Sequence, residues 1–324
     1  MILIPPVYYR RSPVRDEILI AAPKKLDPAP MAYCTDMPSP RIGLVTCVTW
    51  LDISESDRHV QRALEARGIT VMGVPWNAPE QRLGGVDLAV FRSSWDYHHA
   101  PEAFLAWLSE WERRGVRFWN PPDLVRWNLT KHYLLDLEQR GVSVVPTVLL
   151  EEPATLHLPA VLAQHGWDRA VVKPVIAASG HDATLVTGET APDVATAIDS
   201  GRIRRPAIVQ PFLAEIQTRG EWSLVFIEEI LTHAMLKLPA SGDFRVHSGY
   251  GGTSRRADPP ASVVAAARRA IERVPLRPLY ARVDGVETAA GFLVMELEVH
   301  EPSLFFGAAP EAASAFAEAI IRRL

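Results

Sequence analysis

Cysteine is scarce in this 324-residue chain, which contains only Cys34 and Cys47. Two cysteines cannot form a disulfide framework, so we expect a reduced, cytoplasmic location. Basic residues are also in slight deficit, with 34 lysines and arginines against 38 acidic residues and a formal net charge of −4. That balance argues against a nucleic-acid partner, because such proteins neutralise phosphates with a basic excess. No apolar run approaches the length of a transmembrane helix, so we expect no membrane partner either.

Several common catalytic motifs are missing as well. The sequence has no Gly-x-x-x-x-Gly-Lys-Ser/Thr loop, no Gly-x-Gly-x-x-Gly turn opening a helix, no Cys-x-x-Cys pair and no Gly-x-Ser-x-Gly elbow. The chemistry must therefore come from charged residues that are scattered along the chain.

The first forty residues differ in composition from the rest. Residues 1–40 are rich in proline and lack the sustained apolar core of a signal peptide. We expect this N-terminal extension to be disordered. Two alternatives remain open, namely an arm that packs on a partner protein and a start of translation near Met31.

Folded sequence is expected from residue 41, and the chain is long enough for two or three packed subdomains. Short apolar runs alternate here with amphipathic segments, which predicts an α/β layer with a largely parallel sheet. The predicted strands are 41–47, 69–76 and 86–97, and the predicted helices are 54–68 and 100–115. We assign residues 41–120 to this first α/β domain.

The third predicted strand ends in a group of polar and aromatic side chains, FRSSWDY at residues 91–97. Ligands bind beyond the carboxyl ends of strands in open α/β sheets, so Arg92 could meet a substrate carboxylate with its guanidinium group. Trp95 and Asp96 lie in the same stretch. The alternative is a capped turn in which Arg92 and Trp95 pack on their own domain.

A second set of elements follows residue 119. We predict a helix that carries Lys131 and ends at Gly141, then a strand–loop–strand unit over 170–186 with Lys173 in its first strand. Small residues at 177–180 offer backbone N–H groups that suit a phosphate, and an unpaired buried ammonium group would be costly. The alternative is an edge-strand lysine that extends to water. Antiparallel strands over 207–252 and helices over 259–274 and 310–324 complete the prediction.

Carboxylates concentrate in a predicted hairpin near the end of the sequence, ARVDGVETAAGFLVMELEVHEPS. Apolar and polar residues alternate along its second strand with the period of a β-strand. A turn near residues 289–290 sets Asp284 opposite Glu296, with Arg282 on the same face as Asp284. Carboxylates so close repel one another unless a cation lies between them, which favours a magnesium site that also includes Glu298. The alternative is a half-solvated strand whose acids face water.

These features follow one another in a recognisable order. A lysine on a helix precedes VVKP, the hinge VQPF, GEWSL, LKLPASGDFRV, GYGG and finally the ARVD to MELEVHEPS hairpin. This order resembles the ATP-grasp superfamily, the fold of glutathione synthetase, D-alanine–D-alanine ligase and the ribosomal-protein glutamate ligases. The resemblance covers residues 120–324, preceded by the matching α/β domain. It implies an α/β (α+β) ATP-grasp fold with a central subdomain at 121–208 and a C-terminal subdomain at 209–324.

The resemblance also implies a nucleotide-binding role for a set of matching residues. Two lysines would hold the ATP phosphates beside the small-residue loop, and the hinge would contact adenine. Glu215 and Glu221 are alternatives for the acid that contacts the ribose. The expected set, in chain order, is Lys131, Lys173, Ser179, Gly180, Gln210, Phe212, Glu215 and Glu221.

Further roles follow for the metal, the reacting groups and the substrate. Asp284, Glu296 and Glu298 match the ligands of two Mg²⁺ ions, for which Mn²⁺ is a possible substitute. Glu298 stands where the family usually has asparagine, so it keeps an oxygen ligand but adds a negative charge. The expected catalytic residues are Lys237, Arg245 and Arg282, and the expected substrate contacts are Arg92, Trp95, Asp96 and Ser303.

Within the superfamily, the stretches RSSWDY, NPPDLVRWNLTKHYL and MELEVHEPSLFF are similar to the branch that contains O-ureido-D-serine cyclo-ligase. The resemblance implies an ADP-forming ligase that joins a carboxylate to an amine through an acyl phosphate, acting on a small amino-acid derivative. One alternative is a ligase that extends a peptide or protein terminus, and another is a catalytically silent nucleotide-binding module. Dimers are common in such families, so a homodimer is a further expectation.

Overall fold

The computed structural model describes residues 39–78, 83–151, 153–178, 180 and 183–324. Residues 1–38 of the predicted extension and Ser179 of the predicted phosphate loop lie outside these ranges. No helix in the described ranges combines the length and apolar character needed to cross a bilayer.

The first part of the chain is the predicted parallel α/β layer. Its sheet has the order β2–β1–β3–β4, and every neighbouring pair is parallel. In chain order, the elements are β1 (Arg41–Thr46), α1 (Arg58–Glu65), β2 (Thr70–Pro75), β3 (Leu88–Phe91), α2 (Pro101–Arg113) and β4 (Phe118–Trp119).

Aromatic packing holds α2 against this sheet. Phe104 and Trp107 stack with ring centroids 5.7 Å apart on α2, and Phe91 stacks on Phe118 at 5.3 Å in the sheet. The predicted third strand was too long, because β3 ends at Phe91. From Ser94 the backbone turns, and Tyr97 N–H donates to the Ser94 carbonyl at 3.1 Å.

Two short helices, α3 (Pro122–Asn128) and α4 (Tyr133–Gln139), replace the single helix predicted around Lys131. That prediction was wrong, because the Lys131 N–H donates to the Val175 carbonyl at 2.8 Å instead of continuing a helical ladder. The Asn128 amide, at the end of α3, bonds to the backbone of Leu297 and Val299 at 2.8 and 3.0 Å. Lys131 is therefore placed by a turn that is tied to two neighbouring segments.

The second sheet is antiparallel, in the order β5–β8–β6–β7, and it includes the predicted strand–loop–strand unit. Leu158 and Leu162 on one helix pack with Val194 and Ile198 on another against this sheet. The elements are β5 (Val148–Leu150), α5 (Ala154–His165), β6 (Arg169–Pro174), β7 (Thr184–Thr187), α6 (Ala191–Asp199) and β8 (Ala207–Pro211).

The third sheet is antiparallel as well, in the order β11–β10–β9–β12–β13, and it contains the predicted acidic hairpin. The last helix packs between this sheet and the first one. Phe316 and Ile320 share a core with Ile42 and Leu44 of β1 and with Val225 and Tyr280 of the third sheet. The elements are α7 (Glu215–Thr218), β9 (Glu221–Ile227), β10 (Ile230–Leu238), β11 (Thr253–Arg256), α8 (Ala261–Glu272), β12 (Tyr280–Thr288), β13 (Gly291–Glu298) and α9 (Pro310–Ile321).

Candidate active site

A cleft between the two antiparallel sheets collects most of the charged residues that the sequence singled out. The empty space within it, including the part open to solvent, is about 1010 Å³. The charged and polar residues in its wall are Lys131, Lys173, Gln210, Glu221, Lys237, Arg245, His247, Asp284, Glu296, Glu298 and Glu301.

The acidic hairpin has the predicted register. Asp284 on β12 pairs with Glu296 on β13, and Arg282 pairs with Glu298. Between Asp284 and Gly285 a bulge shifts the register of the two strands. The acidic pairs therefore lie on one side of the bulge and the turn of the hairpin on the other. Carboxylate oxygens of Asp284, Glu296 and Glu298 all lie within 4.8 Å of one another. Three carboxylates at that spacing form a hard-oxygen donor set of the kind that Mg²⁺ prefers.

Two cations stabilise the central carboxylate. The Arg282 guanidinium donates to Asp284 at 2.7 Å and also to Glu298, while Lys237 Nζ lies 3.6 Å from Asp284 Oδ1. The Ser223 hydroxyl donates to the same carboxylate. Burial would raise the pKa of Asp284, but the charges of Arg282 and Lys237 hold it below its ordinary value. Asp284 is therefore ionised in the folded protein at neutral pH.

Lys131 stabilises the ionised form of Glu296 on β13, as Arg282 and Lys237 do for Asp284 on β12. Its Nζ donates to Glu296 Oε1 at 2.8 Å and to the Ala177 carbonyl at 3.3 Å. Burial would raise the pKa of Glu296, but Lys131 and Lys173 lower it. The ammonium group thus links the hairpin to the small-residue loop after β6.

Lys173 has no carboxylate within salt-bridge distance among the described residues; its Nζ donates to Gln210 Oε1 at 2.9 Å. Burial and the charge of Lys131 lower the pKa of Lys173. The Gln210 amide in turn donates to the Thr147 hydroxyl at 2.9 Å. An ammonium group without a carboxylate neighbour is the type of group that a phosphate can bind.

The hinge residues reach the cleft where β8 ends. Phe212 lines it beside Gln210, and the Arg169 guanidinium lies 3.9 Å from the centre of the Phe212 ring. Of the two candidate ribose acids, Glu221 lines the cleft and accepts a hydrogen bond from Lys237 at 2.6 Å. Glu215 begins α7 and is not part of the cleft wall.

The long loop between β10 and β11 supplies Arg245. Asp243 accepts two hydrogen bonds from its guanidinium group, at 3.1 and 2.8 Å, and the Tyr250 ring centre lies 3.6 Å from Cζ. His247, from the same loop, was missed by the sequence reasoning because a lone histidine has no spacing signal. A Cβ built on Gly180 would lie 2.8 Å from His247 Nδ1, so the imidazole lies directly against that glycine.

The four predicted substrate contacts lie outside the cleft wall in the described structure. Arg92 is 2% exposed and donates to Asp57 of its own domain at 2.8 Å, as the alternative described, but also to the Pro302 carbonyl beyond β13 at 3.0 Å. The Asp96 carboxylate accepts hydrogen bonds from the Trp76 and Asn77 side chains. Trp95 Nε1 donates to the Glu301 carbonyl at 2.9 Å, and the Ser303 carbonyl accepts one from Arg282 at 3.2 Å.

Comparison with known proteins supports the resemblance to ATP-grasp ligases. The family profile described as D-cycloserine synthetase DcsG, N-terminal domain, matches residues 42–120. The chain is 32% identical over 299 residues to the cycloserine biosynthesis protein DcsG of Streptomyces lavendulae, covering 87% of this chain and 98% of that protein. The crystal structure of D-cycloserine synthetase DcsG superimposes with a TM-score of 0.79 at 26% identity, over 87% of this chain and 99% of the other.

More distant structures share the fold. D-alanine–D-alanine ligase from Bacillus anthracis, complexed with ATP, gives a TM-score of 0.63 at 14% identity over 88% of this chain and 96% of that one. The ATP-grasp ligase PsnB, complexed with a precursor variant, Mg and ADP, gives 0.60 at 18% identity over 88% and 98%. Homologues with this fold therefore bind ATP or ADP and magnesium.

The parallel N-terminal layer, the two antiparallel sheets and the cleft between them define an ATP-grasp ligase, a class of ADP-forming enzymes that make C–N bonds. Within that class, the chain belongs to the DcsG-like family, whose named member is D-cycloserine synthetase.

Proposed function

We propose that this enzyme uses ATP to join a carboxylate and an amine nitrogen of a small amino-acid derivative. The observation that carries the proposal is the cleft itself, in which Lys131, Lys173 and Lys237 lie beside three clustered carboxylates, two of which also contact the buried Arg282. Similarity to DcsG along nearly the full length of that protein supports a closely related reaction. Formation of D-cycloserine from O-ureido-D-serine is the specific reaction that we propose to test.

ATP would bind between the subdomains at 121–208 and 209–324, with adenine at the hinge formed by Gln210 and Phe212. Lys131 and Lys173 would contact the phosphates, beside the small-residue loop at Gly180. Glu221 is our choice for the ribose, because it lines the cleft while Glu215 does not.

Magnesium fits the donor set of Asp284, Glu296 and Glu298, since three mutually repelling carboxylates remain close together only with cations beside them. When bound there, two such ions would neutralise charge on the ATP phosphates. Glu298 shares Arg282 with Asp284, so part of its additional negative charge is already compensated by the protein.

In the first step, an oxygen of the substrate carboxylate attacks the γ-phosphorus of ATP, and the bond to the bridging oxygen of ADP breaks. Acyl phosphate and ADP result. Phosphoryl transfer depends mainly on positioning and charge neutralisation. Lys131, Lys173 and Arg245 supply positive charge, and Asp243 and Tyr250 hold the Arg245 guanidinium in place.

In the second step, the amine nitrogen attacks the carbonyl carbon of the acyl phosphate and loses a proton. The tetrahedral intermediate then expels phosphate and leaves the new C–N bond. Arg282 would stabilise the oxyanion, because its guanidinium is fixed by Asp284, Glu298 and the Ser303 carbonyl. Lys237, on β10, would add a further positive charge beside Asp284. If both reacting groups belong to one molecule, the product is a ring. With O-ureido-D-serine the attacking nitrogen is the N–H bonded to oxygen, and its carbamoyl group must also be removed by water, as carbon dioxide and ammonia, to leave D-cycloserine.

A direct test is to incubate the purified protein with Mg-ATP and a panel of D- and L-amino acids that includes O-ureido-D-serine, and to measure phosphate release. We expect release with one small amino-acid derivative, and D-cycloserine as the product if the substrate is O-ureido-D-serine. An absence of amino-acid-dependent release across the panel would contradict the small-substrate proposal. Release with peptide acceptors alone would support ligation to a peptide terminus instead. Size-exclusion chromatography with light scattering would test the expected homodimer.

A further inference from the structure

Five carboxylates line the cleft, and four of them have a cationic partner from the protein. Glu221 has Lys237, Asp284 has Arg282 and Lys237, Glu296 has Lys131, and Glu298 has Arg282. Glu301 is the exception among the described residues, because its nearest basic group is a histidine, at 3.7 Å. It is 8% exposed and lies outside the group of three clustered carboxylates.

That histidine does not neutralise Glu301. The distance from His300 Nε2 to Glu301 Oε1 exceeds a hydrogen bond, and neither ring nitrogen of His300 has a hydrogen-bond partner among the described residues. The Tyr97 hydroxyl interacts with the Glu301 carboxylate and carries no charge, while Arg282 and Lys131 act on that carboxylate only from beyond salt-bridge distance.

A buried carboxylate without a counter-charge is costly, whereas one that receives a cationic ligand group can bind it strongly. We propose that Glu301 binds the ammonium group of the amino-acid substrate. The inference rests on the proposed function and names the substrate class more narrowly: an amino acid with a free ammonium group, rather than an N-acylated compound or the interior of a peptide.

The backbone around Glu301 is suited to such a role because it is fixed on both sides. Trp95 Nε1 donates to the Glu301 carbonyl at 2.9 Å, and Arg92 donates to the following carbonyl, that of Pro302, at 3.0 Å. The segment after β3 therefore supports the proposed ammonium site by holding the Glu301 backbone in place. Glu301 also follows the metal-binding end of β13 by three residues, so a bound ammonium group would keep the substrate next to the phosphates.

Glu301→Gln tests this assignment, because it removes the charge and retains the length and an oxygen that can accept from Tyr97. Glu287→Gln is the matched control: Glu287 lies on the same hairpin, outside the cleft wall, and pairs with Arg219 at 3.6 Å. For both variants and the wild type, we would measure Mg-ADP binding by calorimetry. Phosphate release would be compared for the amino acid that the panel identifies and for its N-acetyl derivative.

We expect Glu301→Gln to raise KM for the amino acid about 30-fold or more, since loss of one partner of a buried charge pair has an effect of that order. Mg-ADP affinity and the magnesium requirement should stay within about twofold of the wild type. The wild type should prefer the free amino acid over its N-acetyl derivative, and this preference should collapse in Glu301→Gln but not in Glu287→Gln.

Two results would overturn the assignment while leaving the proposed function intact. One is an unchanged preference for the free amino acid in Glu301→Gln. The other is a loss of Mg-ADP affinity as large as the loss for the amino acid, which would make Glu301 a metal ligand.

If no compound in the panel gives phosphate release, the proposed function fails, and the assignment is decided by binding. Thermal shift of the Mg-ADP complex with the same amino acids must then show stabilisation of the wild type and the control but not of Glu301→Gln. Absence of stabilisation in the wild type would overturn the assignment as well.

Discussion

Lys131 Nζ lies 2.8 Å from Glu296 Oε1 and joins the turn between α3 and α4 to the acidic strand β13. The two residues are far apart in sequence, yet each lowers the cost of burying the other's charge. The contact also places an ammonium group beside the clustered carboxylates, where ATP phosphates would arrive. Under the proposed function, a change at either residue should therefore weaken the binding of both the nucleotide and the metal.

Glu296→Gln should abolish turnover. The substitution retains the shape of the side chain but removes the charge that pairs with Lys131 and that, in the proposed function, would hold a magnesium ion. We expect phosphate release to fall by at least about 100-fold, because loss of a metal ligand or its support has effects of this size or larger. Circular dichroism should show an unchanged fold. Wild-type turnover in this variant would exclude the metal assignment.

Glu298→Asn should be tolerated much better, and it tests the departure from the asparagine that is usual in the family. Burial and the charges of Glu301 and Glu296 raise the pKa of Glu298 well above its ordinary value, although Arg282 acts against them. Asparagine keeps an oxygen ligand without the repulsion. We expect kcat within about tenfold of the wild type, measured alongside Glu296→Asn as the contrasting change. If kcat of Glu298→Asn fell as far as kcat of Glu296→Asn, the negative charge of Glu298 would be required for turnover.

Arg92 and Asp57 form a buried pair, each 2% exposed at the side chain. Arg92→Met should lower the free energy of unfolding by about 3–5 kcal/mol, because it leaves the Asp57 charge buried and unpaired. The double variant Arg92→Met with Asp57→Asn should recover much of that loss in denaturant unfolding. Arg92 lies outside the cleft and acts on it only through the Pro302 carbonyl beside Glu301, so KM for the amino acid should rise by less in the double variant than in Glu301→Gln. A large increase in KM without loss of stability would restore Arg92 as a substrate contact.

Stability should fall on acidification partly because of His233. It is 5% exposed, and its Nε2 lies 2.9 Å from the Leu304 carbonyl. Burial lowers the pKa of His233 below its ordinary value of 6.5, although the bond to Leu304 acts in the opposite direction. The unfolded chain therefore takes up a proton at a higher pH than the folded protein, and stability is lost as the pH falls below about 6.5.

His233→Gln should flatten that part of the stability curve. One histidine can change the slope by at most about 1.4 kcal/mol per pH unit. The comparison is urea unfolding of the wild type and the variant between neutral pH and mild acid. Parallel curves for the two proteins would exclude a contribution from His233.

Local patterns predicted the elements and the acidic hairpin because the information lies in neighbouring residues. The alternation along β13 and the turn after Thr288 are enough to set Asp284 opposite Glu296. The turn at Lys131 could not be predicted in that way. Its helix is interrupted by a hydrogen bond to Val175, which lies in another part of the chain.

Contacts between distant parts of the chain also explain why the predicted substrate residues lie outside the cleft wall and why His247 was missed. FRSSWDY follows a strand in a parallel sheet, so the rule about strand ends pointed to Arg92. Its partner Asp57 comes from the residue before α1, and no pattern in the sequence links the two. Nothing in the sequence brings His247 to Gly180 either, since that contact joins two residues that are far apart in the chain.

Gly180 and His247 yield a final prediction. A Cβ at position 180 would lie 2.8 Å from His247 Nδ1, and the residue has a φ of +67°, which favours glycine. Gly180→Ala should therefore displace the phosphate loop from its contact with the imidazole and raise KM for ATP about tenfold or more. Adding His247→Ala would relieve the steric conflict but not the backbone strain, so the double variant should recover only part of the affinity for Mg-ATP. Gly188→Ala, in open space and without positive φ, is the control and should bind Mg-ATP like the wild type. Equal KM values for ATP in Gly180→Ala and Gly188→Ala would show that the close contact does not determine nucleotide binding.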